Sequence, residues 1–193
     1  MDKHGFLRFL RRPVVLAALV VAVLAAGFGA YWFQPWKLVT DTTVRDELPM
    51  AAVPTSADGT KTPARDGMKE TPVPAGPMPL SAGNLISHEH ATSGTVKVLR
   101  LPDGSRTLRI ENLDTSDGPD LRVLLSDAKV VPGKAGWHVF DDGTYTTLAK
   151  LKGNKGDQNY ALPADLDLKQ FRSVSIWCDR FDVSFGAAEL APT

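Results

Sequence analysis

A single cysteine, Cys178, in 193 residues excludes every device that needs two in one chain. A disulfide framework, a Cys-Xaa-Xaa-Cys redox pair, a zinc ribbon and the Cys-Xaa-Xaa-Cys-His haem attachment all fall away. Histidine is scarce too, four residues with none after His138, so the usual order of a copper loop, Cys followed by a ligating His, is missing. Net charge is also lacking, with 22 Lys and Arg against 22 Asp and Glu. From Ser81 onward the balance is 13 against 15, a net −2, which gives no basic footprint for nucleic acid. No Ser/His/Asp order or paired-carboxylate spacing marks a hydrolase, and the Gly-rich stretch 153–160 lacks the Gly-Lys-Ser/Thr ending of a phosphate-binding loop.

What is present falls into three unlike parts. Pro13 to Phe33 runs 21 positions without a charge, about 30 Å as a helix, which is the thickness of a bilayer core. Lys3, Arg8, Arg11 and Arg12 precede it against one Asp2, so residues 1–12 are expected in the cytoplasm and everything after Lys37 outside. Tyr31, Trp32, Phe33 and Trp36 cluster at the exit, as interfacial aromatics do, and leave no small-Xaa-small cleavage site. The segment 13–33 therefore reads as a retained signal anchor. Residues 37–80 hold seven prolines and no sustained apolar period, and are expected to be a disordered Pro-rich linker, with Trp36 to Leu48 apolar enough for a short membrane-proximal element.

Residues 81–193 form the third part, one domain in size. Short alternating runs cut by Gly, Asp and Pro predict an all-β fold, an antiparallel β-sandwich or barrel-like domain. The plainest unit is a hairpin, Thr95–Leu101 returning through Thr107–Glu111 around Pro102-Asp103-Gly104-Ser105. Further strands are expected at 121–126, 137–140, 145–148, 158–162, 174–178 and 183–190, a short helical turn at 164–171, and a hairpin loop over the Gly-rich 153–160.

Among chemically capable residues Cys178 stands first, because an unpaired thiol is unusual in an oxidising compartment. Strand alternation puts Ile176 and Cys178 on one face and Ser175 and Trp177 on the other, so a small buried hydrophobe and a reactive or ligating thiolate, helped by Arg180, are both open readings. His88 and His90, two apart in an extended segment, can reach one metal ion, and with Cys178 would make a His₂Cys set. Glu89 points to the opposite face. Asp120, in Gly118-Pro119-Asp120-Leu121, reads as a turn residue or as part of a cofactor pocket. Asp141-Asp142 and Asp165-Xaa-Asp167 read as surface turns.

Five motifs in order carry a resemblance: Gly83–Val96 with Ser87-His88-Glu89-His90, Asp103–Asn112, Gly118–Leu121, Leu151–Tyr160 and Ser175–Phe181. Together they resemble the DM-thirteen domain, proposed to transfer electrons in animal Skeletor-type surface proteins and also found in bacterial membrane-anchored proteins. The resemblance covers residues 83–190. It implies a β-rich extracytoplasmic domain whose signature cysteine, here Cys178, acts as a naked thiol or as ligand to a prosthetic group such as haem. The resemblance supplies no redox partner; a redox module here would pass electrons to a cell-surface protein. The haem-binding DOMON neighbour of the animal proteins is not in this chain. The residues themselves keep three functions open: a redox module centred on Cys178, a non-catalytic cell-envelope binding module with an exposed patch near Trp137 and Tyr145, and a copper-handling domain using His88 and His90.

Overall fold

The computed structural model describes residues 13–49 and 76–193. The expected cytoplasmic residues 1–12 and the centre of the expected linker, 50–75, lie outside it. Helix α1 (Pro13–Phe33) has no buried residue and is long and apolar enough to cross a membrane. It stops at Gln34, which takes the left-handed conformation (φ 44°), and at Pro35, which cannot continue an α-helix and opens a 3₁₀ turn over Pro35–Val39.

Eleven strands follow, forming two sheets: β1 (Thr43–Arg45), β2 (Met78–Asn84), β3 (Ile86–Ser87), β4 (Ser93–Arg100), β5 (Arg106–Asp114), β6 (Leu121–Ser126), β7 (Tyr145–Lys150), β8 (Lys155–Leu162), β9 (Ser173–Cys178), β10 (Val183–Glu189) and β11 (Ala191–Pro192). One sheet has the order β1-β8-β5-β4-β2-β11, the other β3-β10-β9-β6-β7. Every pairing is antiparallel except β1 with β8. The fold is thus all-β, as expected. The β4–β5 hairpin turns where predicted, with Gly104 at φ 84° and the Asp103 carboxylate accepting from the Ser105 amide at 2.9 Å.

Alternation builds the core. Val96 and Val98 from β4, Leu108 and Ile110 from β5, and Val123, Leu125, Val174 and Ile176 from the facing sheet are all fully buried in one cluster. Each such side chain contributes about 1.5–3 kcal/mol by leaving water. A second, smaller cluster of Leu124, Phe140, Trp177 and Ala187 lies on the far face of the five-stranded sheet. The loop that covers it explains one correction. Trp137–Phe140, expected as a strand, follows a 3₁₀ turn (Lys134–Gly136) and lays Phe140 onto Trp177 with ring centroids 6.5 Å apart.

Other boundaries also differ from expectation. The Gly-rich 153–160 is mostly strand β8 and not a loop, because Lys155–Leu162 pairs along β5. Over 164–171 only Leu168–Gln170 forms a 3₁₀ turn. The expected linker is structured at both ends. Met78–Leu80 begins β2, and Thr43–Arg45 is an edge strand on β8. Gly153 and Gly156 allow that close approach, since a Cβ on either would collide with the Thr42 or Val44 carbonyl. Asn154 accepts from the Thr42 amide (2.7 Å), the Asp46 carboxylate accepts from Lys152 (2.6 Å) and from the Asn159 amide (2.8 Å), and Arg109 donates to the Asp46 carbonyl (3.2 Å).

Candidate functional site

Cys178 ends β9, paired with Val183 of β10 on one side and Leu121 of β6 on the other. Alternation holds as expected: Ile176 and Cys178 face the inter-sheet core, while Ser175 and Trp177 face outward. The thiol is fully buried. Burial pushes its pKa up, the backbone amides of Phe181, Arg180 and Asp120 pull it back in part, and the Glu89 carboxylate adds to the rise. The net direction is upward, so Cys178 stays a protonated thiol at neutral pH. Arg180, expected to assist a thiolate, acts on the sulfur only through its backbone. Its guanidinium instead donates to the carbonyls of Tyr31 (3.3 Å) and Trp32 (2.7 Å), satisfying the end of α1 where the helix dipole is negative.

A haem or metal bound to Sγ would need an open face on the sulfur. Core side chains and the 179–182 turn occupy the surroundings, and among the described residues no three of His, Cys, Asp and Glu come together as a cation-binding group. The residues present do not fit a haem or a copper ion at Cys178.

His88 lies on the opposite face of the sheet from Cys178, under the 128–140 loop. Its Nδ1 is 2.8 Å from Ser184 Oγ, which accepts from Ser175 Oγ at 2.9 Å. That chain assigns the neutral Nε2–H tautomer, with Ser184 donating to Nδ1. Among the described residues Nε2 has no aligned hydrogen-bond partner, although the Val131 carbonyl beside Gly136 acts on the ring. Burial lowers the His88 pKa, and the Val131 carbonyl offsets only part of it.

His90 turns another way. The 88–90 segment bends instead of extending, and the His90 ring lies on Phe185 with centroids 3.9 Å apart, while His88 lies near Phe140 at 5.7 Å. The two imidazoles therefore address different neighbours. Asp120 sits at the start of β6, 3.1 Å from Arg122 and 3.3 Å from Lys150, and Arg122 also reaches Asp179 at 2.9 Å. Burial would raise the Asp120 pKa, but its hydrogen bonds and charge contacts with Arg122 and Lys150 outweigh burial and hold it below the usual carboxylate range.

What the structure does bring together is the end of α1 and the β9–β10 turn. Phe33 stacks on Phe181 with centroids 5.7 Å apart, and Arg180 lies 5.3 Å from the Trp32 ring. Phe185, His90, Gly118 and Pro119 complete a cavity there. Sequence reasoning missed Ser184, Phe185 and this junction; the aromatic cluster at 31–36 was its one visible sign. Residues 84–190 match the family described as Electron transfer DM13. No curated protein and no solved structure matches the chain.

Proposed function

The chain belongs to the Electron transfer DM13 family, and on that premise we propose that it is a single-span membrane protein whose β domain transfers electrons outside the cytoplasm with Cys178 at its centre. The helix Pro13–Phe33 and the four basic residues before it support an anchor with the N-terminus in the cytoplasm. The end of α1 meets the domain of residues 81–193 directly, and the 41–47 segment is clasped to it. A raised thiol pKa gives Cys178 little thiolate, and burial denies it a partner thiol, so it survives unpaired in an oxidising compartment. His88, His90 and Asp120 serve hydrogen bonding, ring packing and ion pairing in this reading.

The observation that carries the proposal is the position of the one thiol, inside the family-matched region and beneath the turn that meets α1. Protein-film voltammetry of the full chain in detergent tests it. A wave for the thiol/thiyl couple, one electron and one proton exchanged with the electrode and the buffer, that disappears in Cys178→Ala is expected, together with a visible spectrum free of a Soret band. No wave, or one unchanged in Cys178→Ala, rejects the thiol as the centre. The burial of Cys178 favours a second reading, a non-catalytic cell-envelope binding module with Tyr145, 47% exposed, on its surface. That reading predicts an electrochemically silent chain.

A further inference from the structure

We propose that the cavity between the end of α1 and the β domain is a binding site for the ring of a membrane-soluble quinone. The inference rests on the membrane-anchored electron-transfer reading above. The cavity holds about 190 Å³ between two aromatic pairs, Phe33 with Phe181 and His90 with Phe185, and is lined as well by Lys37 and Asp117, 3.3 Å apart, and by Glu89, whose carboxylate lies 3.7 Å from His90 Nε2. Gly118 keeps one wall flat, since a Cβ there would come within 3.0 Å of Phe185 Cζ.

Size, walls and position together select the ligand. The cavity is smaller than the roughly 300–1,000 Å³ that holds a whole drug-sized molecule, so it accepts a single ring. Aromatic walls favour a flat π-system in offset stacking. Phe33 is the last residue of α1, so the cavity lies beside the end of the helix that the membrane-anchored reading places in the bilayer. A quinone combines a flat ring, two carbonyl acceptors for the Lys37 ammonium and a His90 N–H, and an apolar tail that can lie along α1 in lipid. The site also adjoins the thiol: Phe181 and Pro119 are walls, and the amides of Phe181, Arg180 and Asp120 act on Cys178.

The test is calorimetric titration of decylubiquinone into the full chain in nanodiscs, with empty nanodiscs as reference. Saturable binding is expected, weakened at least about tenfold in Phe33→Ala and in His90→Ala. Phe33 lies on the helix, so its variant leaves the β core intact, and thermal unfolding by circular dichroism checks both. Absence of saturable binding, unchanged affinity in both variants, or equal binding of 1-decanol, which has the tail but no ring, overturns the proposal. Saturable ring-dependent binding with a voltammetric response independent of Cys178 keeps the quinone site and removes the thiol reading. A Cys178-dependent wave without saturable binding does the reverse.

Discussion

The two faces of the five-stranded sheet are built from the same strands and do opposite things. The inner face presents Leu121, Val123, Leu125, Val174, Ile176 and Cys178 to the other sheet, side chains that carry no polar atom other than the thiol. The outer face presents Ser126, Ser173, Ser175, Ser184 and His88 beside Leu124, Trp177 and Ala187, all under an irregular loop. A loop carries unpaired backbone groups, so the surface beneath it needs hydrogen-bonding side chains as well as apolar ones. The Ser126 hydroxyl accepts from the Ala128 amide, and Glu189 at the sheet edge accepts from Val130. A thiol thus stays protonated on one face while an imidazole stays neutral on the other.

The contrast can be broken most forcefully at Trp177. Trp177→Ala should cost about 3–5 kcal/mol in urea unfolding of the detergent-solubilised chain, with early hydrogen exchange across 128–140. A cost near that of an exposed residue would mean that the outer cluster is no second core. Cys178→Ser places a hydroxyl on the aliphatic face and should cost about 1–3 kcal/mol, whereas Cys178→Ala should cost less because it buries no polar atom. Equal costs would show water or a partner at Sγ.

Acid distinguishes the faces next. The folded pKa of His88 lies below its unfolded value near 6.5, so between those two values the unfolded chain binds a proton that the folded chain refuses. Stability is complete above the unfolded value and declines as pH falls through that window, at a slope of at most about 1.4 kcal/mol per pH unit. His88→Gln should abolish this slope in urea titrations at pH 7 and 5.5. Asp120, at the Cys178 end of the sheet, is also depressed. Its contribution is present above its unfolded value near 3.9 and is lost only as pH falls below that, through the folded value. Asp120→Asn should therefore cost little, about 1 kcal/mol or less at pH 7, and flatten the profile only below pH 4.

Much of this was legible from local pattern. The helix Pro13–Phe33 matches the uncharged run, β6 has the expected bounds, and the inward turn of Cys178 follows from alternation with Ile176. The candidate site was less legible. His88 and His90 suggested one metal because two residues apart means one side of a strand, but the segment bends after β3 and sends one ring to Phe140 and the other to Phe185. Trp137–Phe140 has strand composition but forms no ladder: it touches β10 through the Trp137 carbonyl, which accepts from the Ser184 amide at 2.8 Å, and became a cover.

By itself the sequence determined the membrane-length helix, the β pattern and the face each β9 residue occupies, because all three depend on periodicities that neighbouring residues define. Tertiary structure alone decided the rest. The Thr42 amide finds Asn154 across 112 positions, Arg180 reaches back to Trp32 across 148, and the cavity by α1 exists only where those distant contacts close. Such contacts leave no local period, since they depend on which strand edges and turn tips the whole fold brings within hydrogen-bond reach.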